Sequence, residues 1–247
     1  EGMVLLNADD PNCRALAESC PAPLLEVGFS PNAGHQIRDL HLGRETSAFS
    51  LFGERFEIPL IGEFNVRNAA MAVSAAHFYG LSPEEIRPAL KTFTGIRRRQ
   101  EVRGVAGGVT VVDDFGHHPT AITQTLEGLK VKYPGSKLWA IFEPRSNTTR
   151  RAVFQEILPK AFAGAAGVIL AKVARMDQLP EKDRLDPERV VSDLRRAGQE
   201  AFYEADTTAI IARACALAAA GDVIVVFSNG GFDNIHARLL EALGVKG

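Results

Sequence analysis

From Gly95 onward, four short segments are almost wholly apolar: Val109–Val112, Leu138–Phe142, Val168–Ala171 and Val223–Phe227. A strand that is apolar on both sides cannot leave either side in water, so it must lie in a sheet covered on both faces. The stretches between supply the cover. Ile122, Leu126 and Leu129 recur at helical spacing, as do Ile210, Ala214 and Leu217, then Ile235, Leu239 and Leu243. The pattern predicts a Rossmann-like α/β domain with a mostly parallel sheet, in which the polar stretch Arg175–Pro187 is an exposed loop.

Residues 1–94 read differently. Short β-prone runs occupy Met3–Leu6, Leu24–Val27 and Gln36–Leu40, and a hairpin is expected from Thr46–Phe52 and Arg55–Leu60, joined across Gly53-Glu54. An alanine-rich helix is expected over Asn68–Tyr79. Another begins at Ser82, with Pro83 at its first position, Glu85 closing a capping box, and Leu81 and Ile86 as a hydrophobic staple. The join between two domains falls at Thr94-Gly95.

The charge balance narrows the possible partners. With 28 basic against 30 acidic residues the chain lacks the basic field on which non-specific nucleic-acid binding depends. No apolar run approaches the roughly 20 residues needed to cross a bilayer. Cys13, Cys20 and Cys215 are odd in number and show no Cys-x-x-Cys spacing, which argues against a disulfide framework or zinc knuckle and fits a reducing cytoplasm. Glu1–Asn7 has no basic region before its apolar run, so it is not a secretory signal and reads as a chain entered in mid-fold.

In open α/β sheets, ligands gather where strands end, because loops and helix N-termini there present unpaired N–H groups. Three such ends are polar. Val112 runs into Asp113-Asp114-Phe115-Gly116-His117-His118-Pro119, where carboxylates could accept ribose hydroxyls and histidines could face phosphate, or where the same residues simply cap a turn and a helix. A third possibility is a metal-dependent hydrolase centred on Asp113, Asp114, His117 and His118, although such close neighbours rarely converge on one ion. The second end, Glu143-Pro144-Arg145-Ser146-Asn147-Thr148, is followed by Arg150 and Arg151, and guanidinium groups suit carboxylate or phosphate. The third, Ser228-Asn229-Gly230-Gly231-Phe232, allows close approach of backbone to a ligand, or a tight turn. Nearer the N-terminus, Asn65 and Asn68 could pair with a purine edge or cap the helix, and Ile96–Glu101 carries a basic run that could meet an anion or be a solvated hinge.

Together and in order these segments resemble the Mur ligase family. Its G-x-x-N-x-x-N helix entrance matches Gly62, Asn65 and Asn68; its G-(I/V)-x-x-R-x-E hinge matches Gly95, Ile96, Arg99 and Glu101; its D-(D/S)-(Y/F)-(A/G)-H-(H/N)-P strand end matches Asp113–Pro119. Residues 142–148 and 228–232 resemble the branch that joins a recycled murein tripeptide to UDP-N-acetylmuramate. The alternative within the family, UDP-N-acetylmuramate–L-alanine ligase, would be expected to show a Gln-Pro-His-Arg-like segment at the first of these places.

The resemblance implies that residues 1–94 are the C-terminal part of the family's central ATP-binding domain and residues 95–247 its C-terminal domain. It implies ATP and Mg2+ as cofactors, and UDP-N-acetylmuramate and the tripeptide as substrates in a bacterial cytoplasm. It would put Asn65 and Asn68 near adenine, Arg99 near the phosphates or ribose, Asp114 on the ribose hydroxyls and His117 beside the phosphates. Arg145, Ser146, Asn147 and Asn229 would meet the peptide, with His117 and Arg145 closest to the chemistry. No G-x-x-x-x-G-K-(S/T) phosphate loop occurs in the chain, so that loop and the principal magnesium ligands are expected upstream, and the chain by itself is expected to be an inactive fragment. This reading requires the Asp113–His118 loop and the Arg145 loop to open onto one crevice that faces the first domain.

Overall fold

The computed structural model describes residues 2–245 and divides into two compact units that meet at Gly95–Ile96. In the first, β1 (Val4–Asn7), β2 (Leu24–Gly28) and β3 (His35–Gln36) form a parallel sheet in that order, with α1 (Pro11–Ala17) following β1. A second, antiparallel sheet holds β4 (Arg38–Leu42), β5 (Ser47–Leu51) and β6 (Glu54–Ile58). The expected strand over Gln36–Leu40 is therefore split between two sheets.

The expected hairpin forms with its turn one residue earlier, at Phe52-Gly53. Both turn residues adopt positive φ, 54° and 81°, which matches the twist of the paired strands. Two helices complete the unit, α2 (Glu63–Phe78) and α3 (Pro83–Thr92). α2 starts five residues before the expected Asn68, its first turn supported by a Glu63–Arg67 ion pair of 2.8 Å. α3 starts as expected, with the Ser82 N–H donating to Glu85 Oε2 at 2.8 Å. Phe49, Phe56, Val66, Val73 and Ile86 fill the core between helices and sheets.

In the second unit, β7 (Glu101–Ala106), β8 (Val109–Asp114), β9 (Leu138–Phe142), β10 (Gly167–Ala171), β11 (Glu200–Glu204) and β12 (Val223–Phe227) form one sheet in the order β11-β10-β9-β12-β8-β7. All neighbours are parallel except the edge strand β7, which is antiparallel to β8. α4 (Pro119–Lys132), α5 (Leu158–Ala161) and α6 (Pro187–Arg196) bury Ile122, Leu126, Leu158, Val190 and Leu194 on one face. α7 (Thr207–Leu217) and α8 (Ile235–Val245) bury Ile210, Ala214, Ile235, Leu239 and Leu243 on the other. The four apolar segments of the sequence are the four central strands, and every residue of β9, β10 and β12 is buried. The stretch expected to be an exposed loop, Arg175–Pro187, carries two short 3-10 turns, and Leu179 and Leu185 are buried within it.

Chain order makes the site. After β9 the chain leaves toward the face of α5, whereas after β12 it leaves toward the face of α8. Neighbouring strands whose exits diverge leave a crevice at their C-terminal ends, the usual ligand position in open α/β sheets. Among the described residues no helix is long and apolar enough to cross a membrane.

Candidate functional site

The register Phe227↔Asp114 and Phe227↔Phe142 puts the exits of β8, β12 and β9 side by side at one end of the sheet. The acidic loop and the arginine loop thus open at the same end of the sheet, not at opposite ends.

Arg98 ties these loops together. Its Nη2 donates to the carbonyls of Ser228 at 2.7 Å and Gly230 at 2.8 Å, and its Nε lies 3.3 Å from Asp113 Oδ2. Its own carbonyl accepts from Phe115 N–H at 2.7 Å, and its guanidinium stacks 5.4 Å from the Phe115 ring. Asp113 is 2% exposed; His236 Nε2, from α8, lies 3.3 Å from its Oδ1, at ion-pair distance but without hydrogen-bond alignment. Burial raises the Asp113 pKa, but His236, Arg98 and Arg103 outweigh it and hold the carboxyl below its ordinary value.

Asp114 behaves in the opposite way. Its Oδ1 accepts from Gly116 N–H at 2.7 Å and its Oδ2 from Gln100 N–H at 2.9 Å, with Thr125 Oγ1 at 3.3 Å. Burial pushes this carboxyl up, against those hydrogen bonds and the charge of Arg99. Both oxygens of Asp114 thus accept from backbone N–H groups, and Asp114 shapes the loop.

His117 donates from Nδ1 to the Phe115 carbonyl at 3.1 Å, since a carbonyl can only accept; this leaves Nε2 as the ring's second polar atom. Arg99 is exposed and lies 5.9 Å from the Phe115 ring. His118 instead caps α4, accepting from Thr120 N–H, and packs edge-on against Phe154. Asp114 and His118 are thus turned to different tasks, and no three acidic, histidine or cysteine side chains converge among the described residues.

At the end of β9, Glu143 Oε2 accepts from Ser228 Oγ at 2.5 Å, and its Oε1 lies 3.7 Å from Arg145 Nη1. Arg145 lies across Gly230, where a Cβ would fall 2.5 Å from its Nη1 and 2.7 Å from its Cδ. A glycine at 230 is therefore what lets the guanidinium rest on the Asn229-Gly230 loop. Asn229 is half-buried beside it. Ser146 and Asn147, expected at the peptide, also fold their own loop: Ser146 Oγ accepts from Thr149 N–H at 3.0 Å, and Asn147 Oδ1 from Arg150 Nη2 at 2.7 Å. After Gly231, Phe232, Asp233 and Asn234 run consecutively at positive φ (43°, 49° and 53°), a costly conformation for residues with side chains. Phe232 and Asp233 help line a recess of about 170 Å³ with Glu143, Arg145, Lys172 and Asp206.

In the first unit, Asn65 Nδ2 donates to the Ile61 carbonyl at 2.7 Å and Asn68 is exposed on α2. Asp9, after β1, accepts from the N–H groups of Phe29 and Ser30 at 2.9 Å each and pairs with Arg67. The sequence alone does not single out Arg98, Ser228, Glu143 or His236 as site residues. Ser228 and Glu143 stand inside polar strand ends and Arg98 inside the basic run Ile96–Glu101; nothing in the local sequence of His236 marks it.

Comparison with known proteins agrees with this architecture. Residues 97–230 match the family described as "Mur ligase, glutamate ligase domain", and residues 1–76 match "Mur ligase middle domain". The chain is 38% identical over 188 residues to the UDP-N-acetylmuramate–L-alanyl-gamma-D-glutamyl-meso-2,6-diaminoheptandioate ligase of Escherichia coli K12, covering 76% of this chain and 39% of that protein. It is 31% identical over 250 residues to the UDP-N-acetylmuramate–L-alanine ligase of Salinibacter ruber, covering 98% and 52%. The crystal structure of a murein peptide ligase from Psychrobacter arcticus superposes with a TM-score of 0.72 at 31% identity, covering 98% of this chain and 51% of that one. The chain therefore spans between two fifths and about half of the length of these relatives. With one model matched across most of the second unit and a companion model across most of the first, the chain belongs to the Mur ligase family.

Proposed function

We propose that the protein containing this chain is an ATP-dependent ligase that joins the carboxylate of UDP-N-acetylmuramate to the amino group of a murein tripeptide. The observation that carries this reading is Arg145 lying over Gly230, beside Glu143, at the divergent exits of β9 and β12. A peptide acid calls for a guanidinium, whose planar donors match a carboxylate. The 38% identity to the tripeptide ligase of E. coli supports the choice of substrate over L-alanine alone.

The donor set around Phe115 fits a nucleotide: exposed Arg99, His117 with Nε2 uncommitted, and an aromatic ring between them. ATP supplies the phosphoryl group that turns a carboxylate into a species able to lose phosphate. Arg99 and His117 would neutralise phosphate charge, Asp114 would hold their loop in place, and Asn65 and Asn68 would serve the adenine. Arg145 would orient the peptide by a carboxylate near its reacting amine and, with Asn229, exclude water from the reacting carbon.

In the intact protein, Arg145→Ala is expected to lower kcat/KM for the tripeptide at least ten-fold while the KM for ATP stays within about two-fold, in steady-state assays of phosphate release. Equal loss for both substrates would contradict the assignment. Gly230→Ala provides a second check: its Cβ displaces the Arg145 guanidinium, so peptide use should fall in the same direction while stability changes by no more than about 0.5 kcal/mol.

A further inference from the structure

Along the same end of the sheet, past the recess that holds Arg145, lies a larger cavity of about 510 Å³ at the exits of β10 and β11. Lys172 lines both hollows, so they adjoin through its side chain. The cavity is further lined by Arg175, Met176, Asp177 and Tyr203. Two cations against one acid leave the lining net positive. Tyr203, whose phenol is pushed up by burial and by the nearby charge of Glu188, stays a neutral donor.

The position of Arg175 is built into the fold. Its backbone is left-handed, with φ 50°, and its carbonyl accepts from Arg150 Nη1 at 3.0 Å. Arg150 is 5% exposed, and its Nε is buried without a hydrogen-bond partner among the described residues. A guanidinium cannot shed its charge when buried, so Arg150 adds a fixed positive charge behind Arg175.

Resting on the proposed ligase reading, we infer that this second cavity binds the far, carboxylate-bearing residue of the peptide, with Lys172 and Arg175 as its specificity-determining contacts. The reacting amine would lie at the Arg145 end, and a free amino acid as short as alanine would have no part that reaches Lys172 and Arg175 together. The two hollows in series would thus select for peptide length and for a terminal carboxylate, which one arginine at the reacting end cannot do alone.

The test uses the intact enzyme with UDP-N-acetylmuramate, ATP and either L-alanine or the tripeptide. Lys172 and Arg175 are exposed, so Lys172→Ala and Arg175→Asn should fold, with Asn chosen because it tolerates the left-handed backbone; Trp139 fluorescence checks this. The expected result is a tripeptide KM raised at least ten-fold in each variant, with the KM for ATP within two-fold. An unchanged tripeptide KM in both variants overturns the inference and leaves the ligase reading standing. Turnover of L-alanine but not of tripeptide by the unaltered enzyme overturns the tripeptide reading itself, and this inference with it.

Discussion

Arg98→Ala should destabilise the second unit by about 3 kcal/mol, the scale expected when one member of a buried ion pair is removed and charge-assisted hydrogen bonds are lost with it. Three losses coincide. The carbonyls of Ser228 and Gly230 lose a charged donor, Asp113 loses the guanidinium beside its Oδ2, and Phe115 loses the guanidinium stacked on its ring. The side chain is 31% exposed, which moderates the cost, because water can reach part of the gap. His236 also remains beside Asp113. The chain's single tryptophan, Trp139, is buried in β9 of this unit, so urea unfolding followed by its fluorescence reports on the right unit. A change below about 1 kcal/mol would show that Arg98 does not knot the loops together.

Apolar strands of β9, β10 and β12 announced a sheet covered on both faces, because burial on two sides leaves no other composition open to them. The edge strands β7 and β11 did not announce themselves: Glu101–Ala106 and Glu200–Glu204 mix charged and apolar residues, since part of each edge meets water. The amphipathic helix α6 was hidden in the same way, its Val190, Val191 and Leu194 spread among charges. At the site, polar strand ends could be marked from the letters alone, but the division of labour inside them could not. Which of Asp113 and Asp114 pairs with arginine, and which accepts backbone N–H groups, depends on which strand face each occupies and on what α8 brings up from more than a hundred residues later. His236 is the clearest case, because its partner Asp113 is set by packing alone.

Substituting each aspartate by asparagine should separate the two by the pH dependence of stability. For Asp114 the folded pKa is raised above its ordinary 3.8, so the folded state holds the proton more tightly than the unfolded chain. Its contribution is full below the ordinary value and is lost as pH rises through the raised one. For Asp113 the folded pKa is lowered, so its contribution is present above 3.8 and disappears as pH falls through the depressed value. The stability deficit of Asp114→Asn should therefore shrink from about pH 3 toward pH 8, while that of Asp113→Asn grows. At neutral pH Asp114→Asn should still cost about 2 kcal/mol, because one side of the new amide presents N–H to a backbone N–H, of Gly116 or of Gln100, where the carboxylate accepted from both. Urea titrations of the two variants read by Trp139 across that pH range decide the matter. Slopes of the same sign would mean that the two adjacent carboxyls share one environment, and that Asp114 is not the anchor of the loop bearing Phe115 and His117.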